Sequence, residues 1–380
     1  MWVEQRSWTA QEGWSQAHGK FPDAVQLVLI FGSRPVLSDP KRLAEVKAFH
    51  PKAHLFGCST SGEIRGTHLQ EESLVATAVA FARTSIQGAS VDVQACGSSR
   101  ACGEQLGDRL PKDNLIHVCV LSDGVNVNGS ELVQGLLARL PSGVQVTGGL
   151  AGDGERFQQT LVFFDESPQP GRVAAVGFYG KHLRVGYGSL GGWDPFGPER
   201  LITRSTGNVL YELDGQPALA LYKKYLGEHA AGLPATGLLF PLSIRTADGT
   251  SSLVRTILGV DEAKQSMTFA GDIPQGGRAR LMKANFDRLV EGASGAAKTS
   301  HEALGPIPPD LGLLISCVGR KLVLKQRTED ELEAVQEVLG PKTTLAGFYS
   351  YGEICPSAPN ANCELHNQTM TITTLSEADA

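Results

Sequence analysis

The chain has 380 residues, 41% of them hydrophobic and 19% charged, with a formal net charge of −6. That length can bury two cores, and an acidic balance without a basic run excludes nucleic acid as the main partner, because phosphate recognition needs clustered Lys and Arg. No segment approaches roughly eighteen consecutive apolar residues, and the N-terminus, with Trp2, Glu4, Arg6 and Trp8, has no signal-peptide core, so a soluble cytoplasmic protein with no membrane partner is expected.

Residues 27–31 form a continuous apolar run of the kind a buried parallel strand shows, and Leu43, Val46 and Phe49 then recur at helical offsets. Gly57-Cys58-Ser59-Thr60-Ser61-Gly62-Glu63-Ile64 follows as a glycine-rich turn. A weaker copy comes next: a strand over 115–121, a helix opened by Asn128-Gly129-Ser130 and running to residue 140, a strand over 144–147, and the turn Gly148-Gly149-Leu150-Ala151-Gly152-Asp153. Near the end lies a third: a strand over 311–315, then Thr328 and Glu331 as a capping box before Leu332, Val335, Val338 and Leu339, and a stop at Gly340-Pro341. Its turn, Gly347-Phe348-Tyr349-Ser350-Tyr351-Gly352-Glu353-Ile354, returns the first with the same two glycines and the same final Gly-Glu-Ile.

Strand, crossover helix and parallel strand make a βαβ unit, and ligands of such sheets lie beyond the carboxyl ends of the strands, where these turns fall. Glu63, Asp153 and Glu353, with the small residues around them, are therefore expected to face a shared pocket. The plainer reading is that they cap backbone amides or meet solvent.

Between the second and third copies, a strand alternates His182, Arg184 and Gly186 on one face with Leu183, Val185 and Tyr187 on the other. The Gly/Pro-dense stretch 185–200 reads as a shaped loop presenting Trp193 and Phe196 to a core or a cavity. A helix over 218–226 follows, then short strands over 238–245, 252–258 and 266–269, a helix over 279–291 and a small-residue linker over 292–299. The seven cysteines give no disulfide framework: Cys96 and Cys102, or Cys355 and Cys363, lack zinc-ribbon spacing, and Cys119 and Cys317 sit in apolar strands as core residues. The fold class expected is α/β, two mixed α/β domains built from repeated βαβ-type units, spanning 24–215 and 216–376.

Taken in order, GCSTSGEI, SDG, GGLAGD, GGWDPFGP, ELDGQPALALYKKYLG, GFYSYGEI and the final His366-Asn367-Gln368-Thr369 resemble the FIST family, with its N and C domains, over roughly residues 24–376. The resemblance implies a stand-alone ligand-sensing protein of signal transduction. The GGWDPFGP and ELDGQPALALYKKYLGE wording is similar to the NosP-like branch, which implies haem as cofactor, nitric oxide as ligand and a separate histidine kinase or cyclic-nucleotide signalling protein as partner. A homodimer is compatible with that branch.

Haem iron would need an axial ligand. His182 is the first candidate, with Arg184 for a propionate and Trp193, Phe196, Phe348, Tyr349 and Tyr351 as walls; His117 and His366 come next. For any one histidine, a solvated strand face or a satisfied core residue is the plainer reading. A second reading fills the pocket with an amino acid or similar metabolite held by Cys58, Ser59, Thr60, Glu63, Asp153, Glu353 and His366. A thiol enzyme using Cys58 with His54 as base lacks an identifiable third group, so no catalysis is expected.

Overall fold

The computed structural model describes residues 1–16, 25–249, 252–356 and 361–378, as a mixed α/β protein. Three βαβ units carry its main body. The first joins parallel strands Leu27–Gly32 and His54–Ser59 through the helix Pro40–Phe49. The middle one joins Leu115–Ser122 and Gln145–Leu150 through Gly129–Leu137. The last joins Leu311–Cys317 and Thr344–Ser350 through Thr328–Leu339.

Local chemistry starts two of these helices. Asp39 accepts from the Lys41 amide ahead of Pro40, and Asn128 accepts from the amides of Ser130 and Glu131, satisfying donors that have no partner within the helix. The expected box at Thr328 does not form. Thr328 lies inside the helix, its hydroxyl donating to the Lys325 carbonyl at 2.6 Å, while Glu331 is drawn into the core by Arg320.

Each parallel pair is extended by an antiparallel strand, respectively Leu74–Ala80, Arg172–Tyr179 and Met370–Glu377. The last of these strands runs through residue 377, and the Glu377 carboxylate accepts from the amides of Ala82, Arg83 and Thr84.

The strand that leaves each turn does not stay in its own sheet. Glu63–Arg65 pairs with Thr344–Ser350 of the last unit, Gly352–Pro356 with Gln145–Leu150 of the middle unit, and Val162–Phe164 with His54–Ser59 of the first. The exchange is cyclic: first to last, last to middle, middle to first. One glycine recurs at the same register in all three units. Gly57, Gly148 and Gly347 stand opposite Ile30, Val120 and Leu314, and a Cβ there would lie 2.0, 1.8 and 1.7 Å from the opposing carbonyl oxygen. No side chain fits, which explains why the repeat keeps glycine where the turn itself does not require it. A single apolar cluster draws on all three units, with Phe31 and Phe348 packed at 4.7 Å between ring centroids.

Strands from residues 193 to 284 form a fourth, antiparallel sheet whose core includes Ile202, Leu219, Tyr222, Met267 and Phe269. Residues 185–200 are therefore not an irregular loop. Strand Leu183–Leu190 pairs with Met370–Glu377, Gly191-Gly192 turns the chain, and strand Trp193–Thr206 pairs with Arg278–Ala284. The helix expected over 279–291 begins only at Phe286, because Ala279 and Leu281 alternate inward as strand residues. The supposed linker 292–299 lies in the middle of helix Phe286–Leu304. Its small residues let the helix backbone touch its neighbours: a Cβ on Gly292 would lie 1.8 Å from the Gly191 oxygen, and one on Gly188 would lie 2.3 Å from the Ala296 oxygen.

The sheets cross the 215/216 division. Strands after residue 300 complete two sheets begun in the first half.

Candidate functional site

The three turns do meet. The Ser61 amide donates to Tyr349 at 2.9 Å, the Tyr351 amide to Leu150 at 3.2 Å, and the Gly152 amide to Ser59 at 2.9 Å, each to a backbone oxygen of a neighbouring unit. The carboxylates are consumed by this packing. Glu63 accepts from the hydroxyls of Thr60 and, at 2.6 Å, Ser73; Glu353 accepts from Ser350 at 2.6 Å and from the hydroxyl and amide of Thr369 at 3.0 and 3.1 Å. Both glutamates are fully buried, and burial raises the first to about 7 and the second to about 8 against the pull of those donors. Asp153, also buried, is held by Arg156 at 2.5 Å, by the Gln159 amide at 3.1 Å and by Arg34 at 3.6 Å. The Ser59 hydroxyl donates to the Gly152 oxygen at 2.8 Å. These contacts close the junction on itself, with all three acids bonded inside the protein.

His366 belongs to the same internal network. Its Nε2 lies 2.9 Å from the Cys355 oxygen, and burial lowers it to about 4. Asn367 donates to Tyr351 at 3.1 Å, and Gln368 donates to Leu238 and Thr256 at 3.0 Å, so the HNQT motif ties the last unit to the antiparallel sheet. His117 is buried 2.9 Å from the Thr147 hydroxyl.

The residues expected around haem are not brought together. His182 lies in a turn just before strand Leu183–Leu190, and Arg184 is exposed on that strand; Trp193 starts beyond its other end, roughly 26 Å of extended chain away. Trp193 is buried against Met282, Leu289 and Val323 and donates Nε1–H to the Gln368 oxygen, whereas Phe196 is 48% exposed. Tyr349 and Tyr351 are buried with their hydroxyls spent on Glu331 at 2.8 Å and the Gly154 oxygen at 3.0 Å. These side chains do not frame a slot for a macrocycle. Among the described residues, no cluster of three or more His, Cys, Asp or Glu side chains could hold a metal ion.

The thiol constellation fails in the same way. Cys58 is fully buried with its thiol pushed well up by burial, and His54 sits roughly 13 Å along the strand, paired instead with Asp165 at 2.5 Å.

An open cleft of about 700 Å³ lies elsewhere, between helix Gly129–Leu137, the paired strands Leu242–Arg245 and Ser252–Arg255, and strand Cys363–His366. Its floor is Arg255, only 4% exposed. The guanidinium donates to backbone oxygens of Leu365 at 2.7 Å and Asp272 at 3.3 Å and approaches the Ser130 hydroxyl at 3.4 Å, yet among the described residues no carboxylate lies within 4.0 Å of it. Burial lowers Arg255 to about 10, with Asp272 and Glu364 pulling the other way, so it stays cationic at neutral pH. Asp272 and Glu364 stand with Arg100 at the cleft walls, leaving both signs of charge available. An alternating strand with one arginine reads as solvated, which is why sequence reasoning passed over Arg255. Only the Asn128-Gly129-Ser130 helix start pointed here.

Among the described residues no helix is long and apolar enough to cross a membrane. Residues 26–216 match the family model described as FIST N domain, and residues 218–356 the model described as FIST C domain. An uncharacterized protein of Mycobacterium tuberculosis strain H37Rv is 27% identical over 341 residues, covering 87% of each chain, and its counterpart in strain CDC 1551 gives the same figures. An uncharacterized protein of Methanocaldococcus jannaschii is 24% identical over 313 residues, 76% of this chain and 59% of that one.

Proposed function

The chain belongs to the FIST family, whose domains are signal-transduction sensors, and from that premise we propose that it senses a small polar metabolite bearing a carboxylate, such as an amino acid, in the cleft floored by Arg255. One observation carries the reading: a buried cation with no carboxylate partner among the described residues, at the bottom of an open cleft. Removing a guanidinium from water is costly unless an anion compensates, and a ligand carboxylate supplies that anion by bidentate hydrogen bonding. Asp272 and Glu364 stand where they would meet a ligand ammonium.

The cleft walls come from both family domains, helix Gly129–Leu137 on one side and strands Leu242–Arg245 and Ser252–Arg255 on the other. A ligand touching both binds one relative placement more tightly than another, and that difference is what a separate kinase or cyclic-nucleotide signalling protein would read. Haem with nitric oxide is the competing proposal. The residues expected to hold haem lie apart.

One purification tests both. The absorption spectrum is recorded with and without added haem, and thermal unfolding is followed across a panel of amino acids and dicarboxylates for wild type and Arg255→Gln. A rise in melting temperature with one carboxylate, absent in the variant, supports the cleft. A stoichiometric Soret band that shifts with nitric oxide, with no response to any carboxylate, replaces it.

A further inference from the structure

Cys96 is the one cysteine of the seven that is not fully buried. It ends the short helix Val93–Cys96, and the next residue, Gly97, takes the left-handed conformation at φ +81°, which a side chain would resist. Ser98 then caps the helix Ser99–Arg109, its hydroxyl accepting from the Ala101 amide at 3.1 Å. The two caps reverse the chain within a few residues and lay Cys102 back over Cys96. Cys96 packs against the apolar cluster that contains Cys102, the Cys102 Sγ lies 4.0 Å from the oxygen of Val93, three residues before Cys96, and burial together with the nearness of Cys96 pushes the Cys102 thiol up.

From this geometry we infer that Cys96 and Cys102 form a redox-active thiol pair that a hydroperoxide closes into an intramolecular disulfide. Half-exposed Cys96 meets the oxidant first: its sulfur attacks the distal peroxide oxygen, the O–O bond breaks, and Cys96 becomes a sulfenic acid while the hydroperoxide leaves as an alcohol or water. The Cys102 sulfur then attacks the Cys96 sulfur, the S–O bond breaks, and the Cys102 proton leaves with the hydroxyl as water. Two thiols have lost two electrons and two protons, and the peroxide has gained them. Access sets the order: Cys96 reaches solvent and meets the oxidant, whereas Cys102 is buried and can reach only the Cys96 sulfur once it is oxidised.

The other close pairs lack access. Cys355 and Cys363 are both buried on paired strands, and Cys58 and Cys119 are buried in the shared core. Closing the pair would also fasten the segment 97–101, and Arg100 of that segment lines the cleft. Resting on the cleft reading, oxidation would therefore alter carboxylate binding; disulfide formation itself does not depend on that reading.

The test treats the reduced full-length protein with hydrogen peroxide and reads intact mass and non-reducing peptide maps. Wild type is expected to lose about 2 Da, recoverable with dithiothreitol, in a peptide linking Cys96 to Cys102. Cys96→Ser, at the half-exposed position, keeps its circular dichroism and shows no such loss, and Cys102→Ser leaves a Cys96 sulfenic acid that dimedone captures. Stepwise gain of oxygen at Cys96 without the cross-link, or no change in wild type, overturns the proposal. The thermal response to carboxylates, repeated on oxidised protein, reports the coupling. A shift lost in both redox states sinks the cleft and leaves the disulfide standing.

Discussion

Two of the buried arginines, Arg320 and Arg255, differ in whether a carboxylate of the described chain touches them. Arg320, fully buried, donates to Glu331 through Nε at 3.0 Å and Nη2 at 2.8 Å, and its remaining donors reach the backbone oxygens of Gly191 and Leu289. Glu331 in turn accepts from Ser316 and Tyr349 at 3.1 and 2.8 Å. Arg255 is almost as deep but has only carbonyls and a distant hydroxyl. A protein can keep a buried charge if its own chain answers it, and the place where it does not is where an outside ion belongs.

That contrast breaks most visibly at Glu331. Glu331→Ala strands Arg320 and two hydroxyls, and unfolding in urea should show a loss of about 3–5 kcal/mol; a loss below 1 kcal/mol would mean that water already reaches the pair. A smaller effect separates the junction acids from exposed ones. Glu63 and Glu353 are neutral in the folded chain up to about 7 and 8, whereas an unfolded glutamate ionises near 4.5, so their contribution to stability is full below that value and is lost as pH rises through the folded values. His117 and His366, lowered to about 3 and 4, act in the opposite sense, but only below about pH 6.5, where unfolded histidine charges. Measured between pH 6.5 and 8.5, stability should therefore fall, by up to about 1.4 kcal/mol per pH unit for each acid, and Glu353→Gln should flatten the upper part of the curve. A flat wild-type profile would show that both acids are ionised in the fold.

Arg255→Met probes the other side of the comparison. It removes a cation that no carboxylate of the described residues touches but also the donors to the Leu365 and Asp272 carbonyls, so denaturation should move by about 1–3 kcal/mol while the carboxylate response disappears. A loss as large as that of Glu331→Ala would make Arg255 a second structural arginine. The mildest expectation concerns His182, whose backbone oxygen accepts from Ala378 while its ring stands half-buried at a turn. His182→Ala should change stability by less than about 0.5 kcal/mol and leave any haem uptake as it was.

The repeat was legible because GCSTSGEI and GFYSYGEI encode the same backbone: a glycine pressed against a neighbouring carbonyl, a hydroxyl residue, then a glutamate three positions later that takes its proton donor from that hydroxyl. Where the strand after each turn pairs was not legible, since a three-residue strand such as Glu63–Arg65 carries no signal of its partner sheet. Small residues misled in the other direction. Gly292 to Ala297 read as a linker by composition, but the helix uses their missing side chains to press on the Gly186 and Gly188 strand. The cleft escaped because its defining property is an absence, no carboxylate of the described residues in contact with Arg255, and only packing reveals what a residue lacks. Trp193 and Phe196 sit three positions apart, and their opposite burial follows from a strand pairing that no local pattern announces.

The cyclic exchange of strands also orders events in time. The first unit is translated before the other two, yet the strand Thr344–Ser350 that must receive Glu63–Arg65 leaves the ribosome roughly 280 residues later. Until then a short edge and an apolar face wait without their cover, so the nascent chain is exposed to misassociation throughout that interval. A protein cut anywhere between the units should not yield a smaller working sensor, because each piece would carry a strand meant for another and lack one of its own.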